Sequence, residues 1–97
     1  MEYFFIYILR CSDGSYYVGH TDNLDIRIAQ HQTGFYSGYT SKRLPVQLVY
    51  TKTFYSRDEA LISERKIKKW KKTKKEALIN GNWNEIAAFS KRTKKIK

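Results

Sequence analysis

The pattern of apolar positions is strongest near the N-terminus, where residues Tyr3 to Cys11 are rich in aromatic and β-branched types. This composition predicts a β-strand, whose successive side chains point to opposite faces. The two faces consist of Phe4, Ile6 and Ile8 on one side and of Phe5, Tyr7 and Leu9 on the other. Because both faces are apolar, we expect a central strand that is covered on both sides.

A second strand is expected from Ser15 to His20, after a tight turn. The turn contains Asp13 and Gly14, a pair that readily adopts the positive φ of a hairpin turn. Gly19 is unusual inside a strand and has two explanations. It marks either a β-bulge or a position that another backbone or a substrate approaches closely.

A helix follows the second strand. Thr21 or Asp22 is expected to cap it, and it runs to about Gln32. At 100° per residue, Arg27 and His31 fall in the same sector as its apolar positions. The helix therefore directs two polar side chains toward the body of the protein.

The middle of the chain predicts a loop, a strand and a further helix. The segment 33–45 is rich in glycine and aromatic residues, so we expect an irregular loop that includes a short helical turn. Val46 to Phe54 is expected to be the third strand. Ser56 to Glu59 form a capping box that opens the next helix, and Glu64 lies in the middle of its apolar face.

The C-terminal third of the chain is rich in lysine. The stretch Arg65 to Lys75 is expected to continue the helix that carries Glu64, and capping boxes at Thr73 to Glu76 and at Asn82 to Glu85 predict two more short helices. The whole pattern predicts an α+β fold with a small three-stranded antiparallel sheet flanked by helices, in the order ββααβα with an extra C-terminal helix. We expect one domain over residues 1–90 and a basic tail over 91–97.

The chain has 97 residues and a net charge of +10. This charge favours a polyanionic partner such as nucleic acid, because binding releases the counter-ions of the phosphates. Cys11 is the only cysteine, which excludes an internal disulfide and suits the reducing cytoplasm. The apolar run at the N-terminus is too short to span a bilayer, so no membrane association is expected.

Five side chains on these elements are of types that take part in catalysis: Tyr7, Tyr17, Arg27, His31 and Glu64. The hairpin can bring the two phenols together, and a carboxylate on an apolar helix face needs a special reason. Phosphodiester hydrolysis requires an activated water, a stabilised phosphate and aid for the leaving group. Each residue also has a structural explanation, such as a cross-strand tyrosine pair, an ion pair between Arg27 and Glu64, or a surface histidine.

The motifs Phe5-Ile6-Tyr7 and Tyr17-Val18-Gly19, followed by Arg27 and the helical Glu64, resemble the GIY-YIG nuclease domain. The first motif lacks the leading glycine, and the second is a conservative variant. The resemblance covers Tyr3 to Ile79 and is greatest to the small stand-alone bacterial members of that superfamily. It implies a nuclease on the fold described above.

The resemblance also implies a role for each of the five side chains. Glu64 matches the family's metal ligand and would hold one Mg²⁺. Tyr7 and Tyr17 match the motif tyrosines, of which one would be the general base and the other would orient the water or the phosphate. Arg27 would clamp the phosphate oxygens, and His31 would shuttle a proton.

One position departs from the family pattern. Many members carry an asparagine about a dozen residues beyond the metal ligand, where this chain has Glu76, which we interpret as a helix-capping residue. The candidates for the missing polar contact are Asn80 or Asn82 and, one helical turn after Glu64, Lys68.

Basic and aromatic residues cluster in two further segments and predict a nucleic-acid surface. Lysine and arginine neutralise phosphates, and exposed rings stack on bases, although a lysine run is also typical of a solvated helix face. The residues expected to contact nucleic acid are Tyr36, Tyr39, Lys42 and Arg43 in the loop and Lys68, Lys71 and Lys72 after Glu64.

These observations together predict a Mg²⁺-dependent DNA endonuclease. Selectivity for branched or flapped DNA and a role in DNA repair or processing would suit a domain without a sequence-recognition module. The alternative function is a catalytically weak nucleic-acid-binding or adaptor module on the same fold.

Overall fold

The apolar strand near the N-terminus is the centre of a three-stranded antiparallel sheet in the computed structural model, which describes residues 3–35 and 38–81. The elements in chain order are β1 (Phe4–Arg10), β2 (Tyr16–Thr21), α1 (Leu24–Gln32), β3 (Gln47–Phe54), α2 (Arg57–Lys68) and α3 (Lys72–Ile79). The strand order is β2-β1-β3, so both outer strands pair with β1. The expected α+β class and three-stranded antiparallel sheet are therefore confirmed, but the element order is ββαβαα and not ββααβα, because the described part of the loop before β3 holds no helix. None of the helices in the described ranges is long and apolar enough to cross a membrane.

The alternation of side chains along β1 builds two hydrophobic clusters, one on each face of the sheet. The first cluster contains Ile6, Ile8, Val18, Ile67 and Leu78, and the second contains Tyr7, Leu9, Cys11 and Val46. Helices α2 and α3 supply the outer side of the first cluster, while half-buried side chains of α1 pack on the second. Because strand β1 contributes to both clusters, it is buried on both faces, as its sequence predicts.

The register of the hairpin distinguishes between the two explanations for Gly19, a β-bulge or a close approach. Strands β1 and β2 pair without any shift, and Tyr7 lies directly opposite Gly19. Gly19 is therefore not a β-bulge. The one register shift of the sheet lies between β1 and β3, next to Ile8 and Leu9.

The loop between α1 and β3 contains turns at 38–42, and its described residues hold no helix. Tyr36 lies outside the described residues. Two side-chain contacts join the end of the loop to α1: Gln32 donates from Nε2 to the carbonyl oxygen of Val46 at 2.5 Å and accepts at Oε1 from the Val46 amide at 3.2 Å. The loop is thus attached to the helix that carries Arg27 and His31.

The lysine-rich stretch departs from the expected helix bounds. Helix α2 ends at Lys68, and α3 begins at Lys72 with Lys71 as its N-cap, so the predicted capping box at Thr73 to Glu76 is wrong. The carboxylate of Glu76 is used elsewhere, since it accepts a hydrogen bond from the Tyr16 hydroxyl at 3.1 Å. The helix expected after Asn82 and the basic tail at 91–97 lie outside the described residues.

Candidate active site at the edge of strand β2

The phenol of Tyr7 lies across the backbone of Gly19. A Cβ atom at position 19 would be 2.5 Å from the Tyr7 hydroxyl oxygen and 2.6 Å from Cζ, far closer than van der Waals contact allows. Tyr7 itself is only 1% exposed, so its ring has no room to move aside. The absent side chain of Gly19 is therefore what allows the phenol to reach the outer edge of the sheet.

A buried hydrogen-bond chain holds the Tyr7 hydroxyl. Its oxygen is 2.9 Å from Nε2 of His31, and the other ring nitrogen of His31 is 2.9 Å from Oγ1 of Thr40. His31 and Thr40 are each 2% exposed. A neutral imidazole has one donating and one accepting nitrogen, so this chain can pass a proton from one end to the other.

Burial shapes the proton affinities of this chain. Burial, and then the neighbouring Tyr17, raise the pKa of Tyr7 to about 12, and Arg27 opposes the rise. Burial, and then the charge of Arg27, lower the pKa of His31 below its ordinary value. At neutral pH we therefore expect a protonated phenol beside a neutral imidazole.

The lowered pKa of His31 gives a testable pH dependence of stability. The unfolded chain takes up a proton on this imidazole near its ordinary pKa of about 6.5, whereas the folded protein resists protonation. The unfolded state thus binds more protons, and we expect the free energy of unfolding to fall as the pH drops below about 6.5. Urea unfolding at several pH values between 5 and 7.5 measures this, and carboxylates contribute little there because they titrate below about pH 5.

The variant His31→Gln keeps polar contacts but cannot titrate. We expect the loss of stability below about pH 6.5 to be clearly smaller in this variant than in the parent. An equally steep loss of stability in both proteins would show that another group is responsible.

Tyr17 is the phenol that faces the solvent side of this cluster. It is half-buried, its ring centroid is 5.1 Å from that of His31 and 6.2 Å from that of Tyr39, and its hydroxyl has no hydrogen-bond partner among residues 3–35 and 38–81. The guanidinium of Arg43 packs on the Tyr39 ring, with its carbon atom 3.9 Å from the ring centre. Tyr17 is thus positioned by ring contacts while its hydroxyl stays available.

Arg27 lies between the phenols and the strand edge. Its charge opposes the rise in the pKa of Tyr7 that burial causes, and its Nη1 donates a hydrogen bond to the carbonyl oxygen of His20 at 3.4 Å. The residue is half-buried, as the helical periodicity of α1 predicts. Arg27 therefore holds its charge at the outer edge of β2.

Glu64 approaches the same part of β2 from the opposite face of the sheet. Its side chain is 11% exposed, and one carboxylate oxygen accepts a hydrogen bond from Nδ1 of His20 while the other is 2.7 Å from Nζ of Lys68. Burial alone would raise the pKa of this carboxyl, but the hydrogen bonds from Lys68 and His20 outweigh it and hold the pKa below its ordinary value. Glu64 is therefore ionised at neutral pH.

His20 is the member of this site that sequence reasoning missed. It alternates with Gly19 along β2, so its side chain points to the face that packs against α2. The alternation of side chains along β2 could have identified His20, because residues 16, 18 and 20 share one face of the strand. The structural explanation for Arg27 and Glu64, an ion pair between them, does not describe this arrangement, because Glu64 pairs with His20 and Lys68.

The donor set at Glu64 fits one hard divalent cation. An ionised carboxylate oxygen is a preferred ligand of such ions, and Mg²⁺ commonly binds one or two carboxylates and keeps several waters. No group of three or more histidine, cysteine or acidic side chains suited to a metal occurs in the described part of the chain, so water would complete the coordination. The ammonium group of Lys68, which binds this carboxylate, shows that the site already holds a positive charge.

The other basic residues expected to meet nucleic acid lie on both sides of β2. Lys42, Lys71 and Lys72 are exposed, and Nζ of Lys72 is 5.8 Å from the ring centre of Tyr16. Arg43 donates from Nε to Oδ2 of Asp13 at 2.9 Å, so this cation is joined to the hairpin turn.

A model of the GIY-YIG catalytic domain matches residues 3–77. The chain belongs to the GIY-YIG family. GIY-YIG proteins are nucleases that act on nucleic acid and generally use a divalent metal ion. The arrangement of Tyr7, Tyr17, Arg27 and Glu64 around one strand edge is consistent with such a domain.

The relatives of this GIY-YIG domain include small bacterial and archaeal proteins. The UPF0213 protein of Streptococcus pneumoniae serotype 4 is 41% identical over 78 residues, which cover 80% of this chain and 79% of that protein. The UPF0213 protein of Halobacterium salinarum is 42% identical over 74 residues, which cover 76% of this chain and 96% of that protein.

Two solution NMR structures share the GIY-YIG fold seen here. A UPF0213 protein of Bacillus halodurans matches with a TM-score of 0.54 at 41% identity and covers 80% of this chain and 83% of its own. A protein of E. faecalis matches with a TM-score of 0.57 at 34% identity, over 84% of this chain and 90% of its own.

Proposed function

We propose that this protein is a Mg²⁺-dependent endonuclease that hydrolyses phosphodiester bonds in DNA. One observation carries the proposal: a phenol, a guanidinium and an ionised carboxylate meet around the backbone of Gly19 and His20. Tyr7 crosses Gly19, Arg27 reaches the His20 carbonyl, and Glu64 binds the His20 imidazole. These are the groups that hydrolysis of a phosphodiester requires.

The exposure of the two tyrosines suggests different tasks for them. Tyr17 is half-buried with an available hydroxyl, so we assign it to the attacking water or the phosphate. Tyr7 is 1% exposed, and we assign it with His31 to the buried proton path behind Tyr17. Arg27, which donates a hydrogen bond to the His20 carbonyl at the strand edge, would hold the phosphate oxygens through its fork of N–H donors.

Glu64 is the residue that we assign to the metal ion. When bound, a divalent cation supplies positive charge to the phosphate and lowers the pKa of its own water. The chain's part is to present an ionised oxygen beside His20, the residue whose carbonyl Arg27 reaches. The burial of Glu64 strengthens its attraction for a cation by excluding solvent.

The cellular setting that we propose is DNA repair or processing in the cytoplasm, with branched or flapped DNA as substrate. A single, buried, free cysteine, Cys11, suits a reducing compartment. Tyr39 and Lys42 border the site, and both are exposed in the loop after α1. An aromatic ring next to a cation favours unpaired bases beside a phosphate backbone.

Cleavage of a supercoiled plasmid is the direct test. We expect nicked and linear products with Mg²⁺ and none with EDTA. Nicking that persists in EDTA would contradict a metal-dependent site, and the purified protein should be compared with a preparation of the Glu64→Gln variant made in the same way, to exclude a contaminating nuclease.

The second candidate function is a catalytically weak nucleic-acid-binding or adaptor module. It is favoured by the fact that both oxygens of Glu64 already have partners, namely His20 and Lys68. Retained DNA binding without cleavage of plasmid, flap or branched substrates would support this second function.

The lysines at the start of α3 give a prediction about binding. Lys72 faces Tyr16 of β2, on the same side of the strand as Glu64. We expect Lys71→Glu with Lys72→Glu to weaken binding to all DNA substrates about equally, because lysine-to-phosphate contacts carry no sequence information. Each lost contact should lower the slope of log K against log salt by about one unit.

The matched control changes the same number of charges at the other edge of the sheet, as Lys52→Glu with Lys66→Glu. Both of these lysines are exposed. We expect a smaller effect on the salt slope, measured by titrating labelled duplex, single-stranded and branched DNA at several salt concentrations. Equal effects of the two pairs would mean that net charge alone governs binding.

A further inference from the structure

Lys68 is bound to the carboxylate that we assign to the metal ion. Its Nζ is 2.7 Å from Oε2 of Glu64, one helical turn earlier in α2. The two side chains differ in their surroundings, since that of Glu64 is 11% exposed and that of Lys68 is 48% exposed. The carboxylate is thus held in the protein, whereas the ammonium group is on a flexible stem that reaches solvent.

A buried carboxylate needs a positive partner, because an uncompensated buried charge is strongly unfavourable. Lys68 fills this need, with His20 on the other oxygen. A divalent cation would seek the same oxygen of Glu64. Two cations at one carboxylate oxygen repel each other, so the ammonium group and the divalent ion compete for Oε2.

We infer that Lys68 is an exchangeable counter-ion of Glu64 that moves to the nucleic-acid phosphate when a divalent cation takes its position. This rests on the proposed function. The half-exposed stem lets the ammonium group leave Glu64 while its Cα stays fixed in α2. Lys72, the first residue of α3, lies beside Tyr16, which is on the same face of β2 as His20, so the released Lys68 adds to the positive charge on this face.

The exchange links two binding events. A cation at Glu64 frees one positive charge for DNA, and DNA that engages Lys68 leaves Glu64 open to the cation. The two ligands therefore strengthen each other's binding by the same factor, as linkage requires. A lysine that served only to bind phosphate would add to DNA affinity equally with and without the cation.

Cation binding is the first measurement, made by calorimetry with Mn²⁺ on the protein without DNA. We expect Lys68→Met to bind Mn²⁺ roughly 3–10-fold more tightly than the parent, because the competitor is gone. Lys66→Met removes the same charge from an exposed position of α2 and should change the affinity little. Lys68→Arg keeps the charge and the competition, and it reports whether the site tolerates substitution.

DNA binding is the second measurement, made with EDTA and with Ca²⁺ in place of Mg²⁺ so that the substrate stays intact. We expect Ca²⁺ to raise the affinity of the parent and of Lys66→Met, and to raise that of Lys68→Met by a clearly smaller factor. Weaker or unchanged Mn²⁺ binding by Lys68→Met, or an undiminished effect of Ca²⁺ on its DNA affinity, would overturn the exchange.

The same data separate this inference from the proposed function. If the parent binds Mn²⁺ through Glu64, so that Glu64→Gln abolishes binding, the metal assignment stands whatever Lys68 does. If the parent binds no cation and cuts no DNA, both the function and the exchange are wrong.

Discussion

Replacing Glu64 by glutamine is expected to abolish DNA cleavage while leaving DNA affinity in EDTA nearly unchanged. The amide keeps the shape of the side chain but removes the charge that we assign to the metal ion, which supplies several kcal/mol of transition-state stabilisation. A loss of about 4 kcal/mol corresponds to roughly 10³-fold in rate. The surface lysines, which carry the affinity for phosphate, are untouched by this change.

Stability should change little in this variant, because two effects oppose each other. The variant loses the charged contacts from His20 and Lys68, but it also no longer buries a carboxylate. Glu59→Gln is the matched control, since Glu59 is exposed in the first turn of the same helix. Undiminished cleavage by Glu64→Gln, or equal losses in the two variants, would remove the metal assignment.

The two tyrosine variants are expected to separate chemistry from folding. Tyr17→Phe removes a hydroxyl that has no partner among the described residues, so the free energy of unfolding should be nearly unchanged. A proton-transfer role is worth roughly 10²–10⁴-fold in rate. We therefore expect a slow but fully folded enzyme.

Tyr7→Phe should lower both rate and stability. The variant removes the 2.9 Å hydrogen bond between the phenol oxygen and Nε2 of His31, in a site where His31 is only 2% exposed, and losing such a bond costs about 1 kcal/mol. Single-turnover cleavage and urea unfolding of both variants measure the two effects. If both variants cut at the parent rate, the phenols are structural and the adaptor function gains support.

The hairpin and the paired faces of β1 were predictable from sequence because both follow from local rules. Side chains alternate along a strand, and Asp13-Gly14 determines a tight turn, in which Gly14 indeed has a φ of 85°. The same rules predict that Leu48 and Tyr50 share one face of β3. That prediction is wrong, because the register shift beside Leu9 lies between them and leaves Leu48 exposed at 37% while Tyr50 packs on the first cluster.

The partners within the site were less predictable than its members. The motifs identify Tyr7 and Glu64, but which groups bind them depends on how α1, α2 and the loop lie against the sheet. Thr40 is an example, because no local pattern marks a threonine in an irregular loop as the partner of His31. His20 is another example, because its contact with Glu64 depends on how α2 is oriented about its own axis.

The outer edge of β2 has a consequence for the behaviour of the protein in concentrated solution. An edge strand presents unpaired backbone groups on which a second chain can add a strand, and proteins commonly guard such edges with charge. Arg27 covers part of this edge through its contact with the His20 carbonyl. Arg27, which we assign to the phosphate, thus also disfavours self-association. We expect a variant without Arg27 to aggregate more readily and to bind its substrate more weakly.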